Sequence, residues 1–449
     1  MNRVYVDFEH VTGLIKPLHG VCCAPYSGSL GPNQIHIDKF FKEGNIPYCR
    51  LHDCCGSYGG AYFVDISNVF PDFDADENDP ASYDFYYTDE YIGAIQKTGC
   101  EAYYRLGETI EWGSKKYTAN PPKDFAKWAR ICEHIIMHYN EGWAEGYHYN
   151  LTYWEIWNEP ENPGNAWGRS QWTGTKEEFF ELYKITSKYL RTRFPNIKIG
   201  GYGSCGFYAV TRRESREYFR QFVTWFLDFL GYIKENDCPL DFFTWHIYTG
   251  DEKELLAHAK YIRETLDEHG FTKTESHLNE WNVQAEGAGF KEKHTLEGAG
   301  FNAAVLCMLQ NTDYVDMAMY YCFSFAGKYN GFLDQNDSSV CPSWYPYVAF
   351  GNLYRLANAV EISYEGNVYA AAAKDENEYG IMIVNYSGEE EETMIHIKGI
   401  AETNTVQVLL LDDRHNLEEV FSFTIGKESD VKIRLPKQTM AYIKIGAGR

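Results

Sequence analysis

Short apolar runs recur along most of the chain, and their period changes once. From about residue 19 to residue 357, runs of five to seven residues alternate with longer amphipathic stretches. The runs are HGVCCA (19–24), PYCRLH (47–52), EAYYRL (101–106), TYWEIW (152–157), IKIGG (197–201), DFFTWHI (241–247), SHLNEW (276–281) and MAMYYCF (317–323). Runs of this length predict buried strands, and the stretches between them predict helices. TKEEFFELYKITSKYLRTRF (175–194) opens with a capping box, Thr175 to Glu178, and stops before Pro195. PKDFAKWARICEHIIMHYN (122–140) and DEKELLAHAKYIRETLDEHG (251–270) are further helices, the second closed by a glycine. Eight strand-then-helix units predict an α/β fold, a (β/α)8 barrel over residues 12–357, with its pocket where strands run into their following loops. Residues 53–87, after the second strand, form a long insertion on that face, the kind that shapes a pocket.

After about residue 358 the alternation becomes apolar–polar. VEISYE, VYAAAAK, YGIMIVNYS, TMIHIKG, TVQVLLLD, VFSFTI, DVKIRLP and TMAYIKIG are short runs with turn residues between them. They predict an antiparallel β-sandwich over residues 358–449. RVYVDFE (3–9) alternates in the same way, so the N-terminal strand, residues 1–11, is expected to join it.

Length and composition narrow the partners. The 449 residues suffice for a barrel of about 250 residues plus a second module. A net charge of −23 and a pI near 5.0 make nucleic acid and anionic membranes poor partners. No apolar run approaches the roughly 20 residues of a membrane span. The start, MNRVYVDFEHVTG, lacks the order of a secretory signal, so a cytoplasmic protein is expected, or a secreted one already trimmed. The 12 cysteines are scattered and read as reduced, buried thiols. With no pair of CxxC motifs and no HExxH helix, no metal and no cofactor is expected. Aromatics reach 16%, with 36 Tyr and 11 Trp, which suits sugar-binding platforms as well as cores.

The chemistry gathers at strand ends. Glu159 ends the fourth strand in YWEIWNEPEN (153–162), and Glu280 ends the seventh in HLNEWN (277–282). Strands four and seven lie on roughly opposite sides of an eight-stranded mouth, so both carboxylates can face one pocket. Glycosidic cleavage requires two such groups, one to protonate the leaving oxygen and one to attack or activate water at the anomeric carbon. Arg50, ending strand two, could hold a carboxylate ionised. His246 and Tyr248, ending strand six, could orient Glu280, and Asn158 can donate to a sugar 2-hydroxyl. An aldolase or phosphosugar isomerase would instead need a strand-end lysine or a Gly-rich phosphate cradle, and neither is visible.

RLH, YWEIWNEPE, DFFTWHIY and HLNEWN together resemble clan A glycoside hydrolases, and the barrel-then-sandwich order resembles glycoside hydrolase family 39, which holds β-xylosidases and α-L-iduronidases. The resemblance implies a retaining double displacement with Glu159 as acid/base and Glu280 as nucleophile, Arg50, Asn158, His246 and Tyr248 in support, and His52 as a sugar contact. It also implies a carbohydrate as the partner, and homo-oligomers occur among such proteins. One departure stands out. The clan usually carries a Trp at the end of strand eight, where this chain has Tyr321, Cys322 and Phe323; Trp281 or Trp112 could supply a platform instead. β-Xyloside is the default substrate of an exo-acting enzyme on short oligosaccharides. α-L-Iduronide, which would want a clamp such as Arg105, Arg169 or Lys328, stays open, as do β-galactosides, β-glucosides, arabinosides and a barrel that binds sugar without cutting it. Burial among Trp154 and Trp157 is expected to raise the pKa of Glu159, while Arg50 and Tyr248 keep that of Glu280 low. Retention requires carboxyl groups about 5–5.5 Å apart; a gap near 9 Å would mean inversion.

Overall fold

A computed structural model describes residues 1–27, 36–54, 62–163, 170–212, 216–283, 294–324, 331–334 and 338–447. After β1 (Asn2–Leu14), the strands β2 (Gly20–Cys22), β3 (Tyr48–Leu51), β4 (Glu101–Leu106), β5 (Tyr153–Ile156), β6 (Lys198–Ser204), β7 (Phe242–Tyr248), β8 (Glu275–Asn282) and β9 (Met317–Tyr320) follow in order. β2 to β9 form a closed parallel barrel, with β9 hydrogen-bonded back to β2. All eight predicted strands are present.

Side-chain alternation fills the barrel. In β5, Trp154 faces outward and stacks on Tyr104, while Glu155 faces inward to Arg50. The pattern breaks once in β8. Leu278 pairs with Trp245 and Glu280 with His246, so Asn279 is an extra residue in the ladder. This bulge turns both Asn279 and Glu280 into the barrel, which is how bulges beside active sites re-aim side chains.

Helices cover the outside. The helix Lys176–Arg193 begins with both hydrogen bonds of the capping box between Thr175 and Glu178, and Asp124 and Asp251 cap Phe125–Asn140 and Glu252–Glu268. The helix Leu296–Gln310 is buried on nearly every side because it lies between the barrel and the second sheet, packing on the latter's strands.

That sheet comprises β1 with β10 (Asn358–Glu365), β11 (Val368–Lys374), β12 (Glu378–Asn385), β13 (Glu391–Leu411), β14 (Asn416–Leu435) and β15 (Thr439–Ala447). The eight predicted runs condense into six strands. TMIHIKG and TVQVLLLD are halves of β13, and VFSFTI and DVKIRLP halves of β14, because the β13–β14 hairpin continues through a register break between Lys398 and Thr403. Its first half adds to β1 and its second to β15, so the sheet curls back on itself around an apolar core. The described cysteines are free thiols, most of them buried. Among the described residues no helix is long and apolar enough to cross a membrane.

Candidate active site

Arg50, at the end of β3, is fully buried and organises the centre of the barrel. Its Nε donates to Glu155 at 2.7 Å, Nη1 to Glu280 at 3.1 Å and Nη2 to Asn158 at 2.5 Å. Asn279 donates to the other oxygen of Glu155 at 2.7 Å. A buried guanidinium is tolerable only when paired and hydrogen-bonded in this way. Glu280 receives donors on both oxygens, Arg50 on Oε2 and the Tyr248 hydroxyl on Oε1.

The chain reaches Glu159 through a sharp turn. Trp157 and Glu159 both adopt positive φ, 72° and 45°, a conformation that costs a non-glycine residue about 1–3 kcal/mol. Backbone bonds over-determine it: Trp157 N–H donates to Leu106 O at 2.7 Å, and Glu159 N–H to Tyr202 O at 3.1 Å and Gly203 O at 2.9 Å. The turn sends Asn158 to Arg50 and Glu159 to His246, whose Nδ1 lies 2.8 Å from Glu159 Oε1. Gln171 bridges the two, accepting from Asn158 at 2.9 Å and donating to Glu159 Oε2 at 3.1 Å. Gly203 permits this crowding. Its φ is +66°, and a Cβ there would lie 3.1 Å from Asn158 Oδ1 and 3.3 Å from both Arg50 Nη2 and His246 Nε2.

Glu159, Glu280 and His246 each present an atom within 4.8 Å of the others. Both carboxylates, with Asp53, Trp112, Tyr248 and Tyr321, line one open cavity of about 440 Å³ at the C-terminal mouth of the barrel. One oxygen of each carboxylate thus comes within 4.8 Å of the other, an approach compatible with the roughly 5–5.5 Å between carboxyl groups of retaining glycosidases.

Electrostatics depart from the expectation for Glu159. Burial pushes its carboxyl up, but the hydrogen bond and charge of His246, with help from Asn162 and Arg50, more than offset that and leave it below the usual value. Trp154 and Trp157 do not decide the matter. Burial would push His246 down, and the negative charge of Glu280 with the hydrogen bond to Glu159 raises it above its ordinary value. The two shifts favour an ion pair, with the proton on His246 and Glu159 as the carboxylate.

The other expected contacts divide. Trp112 sits at the cavity rim, 52% exposed, whereas Trp281 is fully buried. After the Asn279 bulge, alternation sends Glu280 inward and Trp281 outward, where it meets Tyr320 and Phe301. Trp281 is thus a core residue. His52 is buried behind Asp53, its Nε2 3.5 Å from Asp53 Oδ1, and is outside the cavity lining. The amide of Asn158 is engaged by Arg50 and Gln171, and the residue is buried. At the end of β9, Tyr321 takes the wall position and donates to Asp53 at 2.8 Å, while Phe323 is core. Arg105 is buried against Asp65 at 2.6 Å, away from the cavity; Arg169 and Lys328 lie outside the described residues.

Sequence reading missed four site residues. Glu155 lies inside the apolar run TYWEIW, where alternation with the outward-facing Trp154 turns it inward to Arg50. Asp53 lines the cavity, and burial, aided by Glu280 and opposed by the Tyr321 hydrogen bond, raises it to about 6. Glu161 is buried beside Glu159 and accepts from Ser204 Oγ at 2.8 Å and Cys205 N at 2.7 Å. Burial raises it to about 8. Its place in NEPEN was the available signal. Gln171 carried none.

The glycosyl hydrolases family 39 model matches residues 37–341. A β-xylosidase from Geobacillus stearothermophilus is 23% identical over 296 residues, covering 59% of this chain and 53% of that protein. The chain therefore spans about half the length of that curated relative. A glucosidase structure from Croceicoccus marinus superposes with a TM-score of 0.80 at 21% identity, and a monomeric β-xylosidase from Caulobacter crescentus with 0.75 at 14%, each covering 100% of both chains. These likenesses bear on fold. The chain belongs to glycosyl hydrolase family 39, a retaining family.

Proposed function

We propose that this chain hydrolyses glycosides by double displacement, with Glu280 as nucleophile, Glu159 as acid/base and a β-xyloside as the first substrate to try. The observation that carries the reading is the approach of Glu159 and Glu280 within 4.8 Å across one open cavity. Glu280 attacks the anomeric carbon while the proton resting on His246 passes through Glu159 to the leaving oxygen; Glu159 then takes a proton from the water that releases the sugar and returns it to His246, and two inversions give retention. Forming the ester neutralises Glu280, one of the charges that holds the proton on His246. The pair thus gives up its proton as Glu159 changes from acid to base. Arg50 and Tyr248 fix the Glu280 carboxylate for attack.

The β-xyloside choice follows the β-xylosidases among the relatives and fold neighbours. The cavity favours a neutral sugar over a uronide. Asp53, Glu159 and Glu280 line it, and Arg212, the cation among its described lining residues, is spent on Glu254 at 2.7 and 2.9 Å. In this reading the barrel, from the end of β1 to residue 357, is the catalytic unit, and the sandwich with β1 (Asn2–Leu14) is its support; the strand runs three residues beyond the expected 1–11 because Gly13 and Leu14 still pair with β10.

The test is hydrolysis of aryl β-xyloside, β-galactoside, β-glucoside, α-L-arabinoside and α-L-iduronide beside Glu280→Ala. Turnover of one member, lost in the variant, is expected. Silence across the panel, or equal turnover by the variant, overturns the reading.

A further inference from the structure

The cavity that holds the two carboxylates adjoins another at its Trp112 edge. Ile110 and Trp112 also line a second cavity, of about 660 Å³, with Tyr62, Asp65 and Ser67. Ser67 and Thr118 in turn also line a third, of about 350 Å³, walled by Phe70, Phe73, Tyr117 and Trp128 with Glu108 among its polar groups. Each is the size of a small-ligand cleft, about 300–1,000 Å³. The three adjoin one another, wall to wall, in a row leading away from the carboxylate pair over the loops that follow β3 and β4.

The walls of this series combine the two things a sugar chain needs. Aromatic faces are presented to solvent along it: Trp112 is 52% exposed, Tyr117 68% and Tyr62 43%. Trp112 is the one exposed tryptophan among the described residues. Lys115 Nζ lies 5.0 Å from the centre of the Tyr117 ring, over one of its faces. Hydroxyl, amide and carboxyl groups stand between the aromatics at Ser67, Asn68, Thr118 and Glu108.

The platform is also held in place. The Glu111 carboxylate accepts from the backbone N–H groups of Tyr117 at 2.8 Å, Thr118 at 3.1 Å and Ala119 at 3.3 Å, closing the loop on itself. Thr173 N donates to Ala119 O at 2.9 Å, and Asp65 and Asp53 accept from Thr109 N at 2.8 Å and Ile110 N at 3.3 Å. A loop tied at its start, middle and end has little backbone left to order on binding.

We infer that the protein binds a glycan longer than a disaccharide, with further sugar units of the same neutral chain seated along Trp112 and Tyr117 toward Trp128 and Glu108. The inference rests on the proposed reading of the carboxylate cavity as a sugar site, and its test separates the two. Glu280→Gln protein is titrated by calorimetry with β-1,4-linked xylo-oligosaccharides of two, three and four units, and with the matching gluco-oligosaccharides. The dissociation constant is expected to fall about tenfold from two to four units in one series. Trp112→Ala and Tyr117→Ala, each in the same background, are expected to remove most of that gain, so that the ratio of the two constants returns toward one. Constants equal at every length, no binding in either series, or a gain that survives both variants overturns the inference. Aryl glycoside turnover by the unmodified protein reports separately. Turnover with a flat length series sinks the extension alone, and length-dependent binding without turnover sinks the hydrolase alone.

Discussion

Nδ1 of His246 lies 2.8 Å from Oε1 of Glu159, with the imidazole fully buried and the carboxylate at the cavity wall. The two form an ion pair with the proton on the imidazole, and the same nitrogen stands 3.6 Å from Glu280 Oε2. Replacing Glu159 by Gln removes a charge and an acceptor that raise His246, while burial remains. The His246 pKa, read by ¹⁵N NMR of labelled histidine, is expected to fall. An unchanged value would contradict the coupling.

The same pair sets a stability window. His246 has a folded pKa above 6.5, so its contribution is full below 6.5 and is lost as pH rises through the folded value. Glu159 has a folded pKa below 4.5, so its contribution is present above 4.5 and is lost as pH falls through the folded value. The thermal midpoint of the native protein should therefore exceed that of Glu159→Gln most between 4.5 and 6.5, with the gap closing on either side. A gap independent of pH would refute the assignment.

Glu161 behaves in the opposite sense. Burial raises it from 4.5 to about 8, so the folded state keeps a proton that the unfolded state releases, and stability falls as pH rises across that interval. Glu161→Gln copies the protonated form. Its midpoint relative to the native protein is expected to rise steadily from pH 4.5 to pH 8, and a flat difference would count against a buried neutral carboxyl.

Arg50 holds Glu155, Glu280 and Asn158 at once, and Lys cannot reproduce the fork. Arg50→Met leaves Glu155 buried without its ion partner and should cost about 3–5 kcal/mol in denaturant unfolding. Arg50→Lys should retain more stability and still lose about 10²-fold in kcat, as Glu280 is no longer fixed. Normal kcat in Arg50→Lys would show that the fork is dispensable.

Gly203→Ala places a methyl group within 3.3 Å of Asn158, Arg50 and His246 at a φ of +66°. A loss of about 1–2 kcal/mol from the left-handed backbone is expected. A fall in kcat of at least about tenfold should accompany it, as the hub is displaced. Unaltered kinetics would mean that the hub can yield without consequence.

The fold was legible where one rule governs a whole element. Buried parallel strands announce themselves as apolar runs, and Thr175 and Glu178 mark a helix start by side-chain chemistry alone. β13 and β14 were less legible because a bend inside a long strand has the same turn residues as a gap between two strands. In the site, Glu159 and Glu280 could be read from their places at strand ends. Trp281 misled because a bulge at Asn279 shifts the alternation by one residue, and nothing in HLNEWN marks it. The low pKa of Glu159 was hidden for a similar reason. Burial is visible in neighbouring tryptophans, but the His246 hydrogen bond that outweighs it comes from a strand 87 residues away. Asp53 and Gln171 join the site from loops, where sequence gives no direction.

The central claim is that Glu280 forms a covalent bond to the sugar. The direct measurement is mass spectrometry of the protein after exposure to the 2-deoxy-2-fluoro analogue of whichever aryl glycoside it hydrolyses, followed by peptide mapping. The account predicts a single glycosyl adduct on Glu280, absent in Glu280→Ala. An adduct on Glu159 or Asp53 instead, or a first-formed product of inverted configuration, would contradict it.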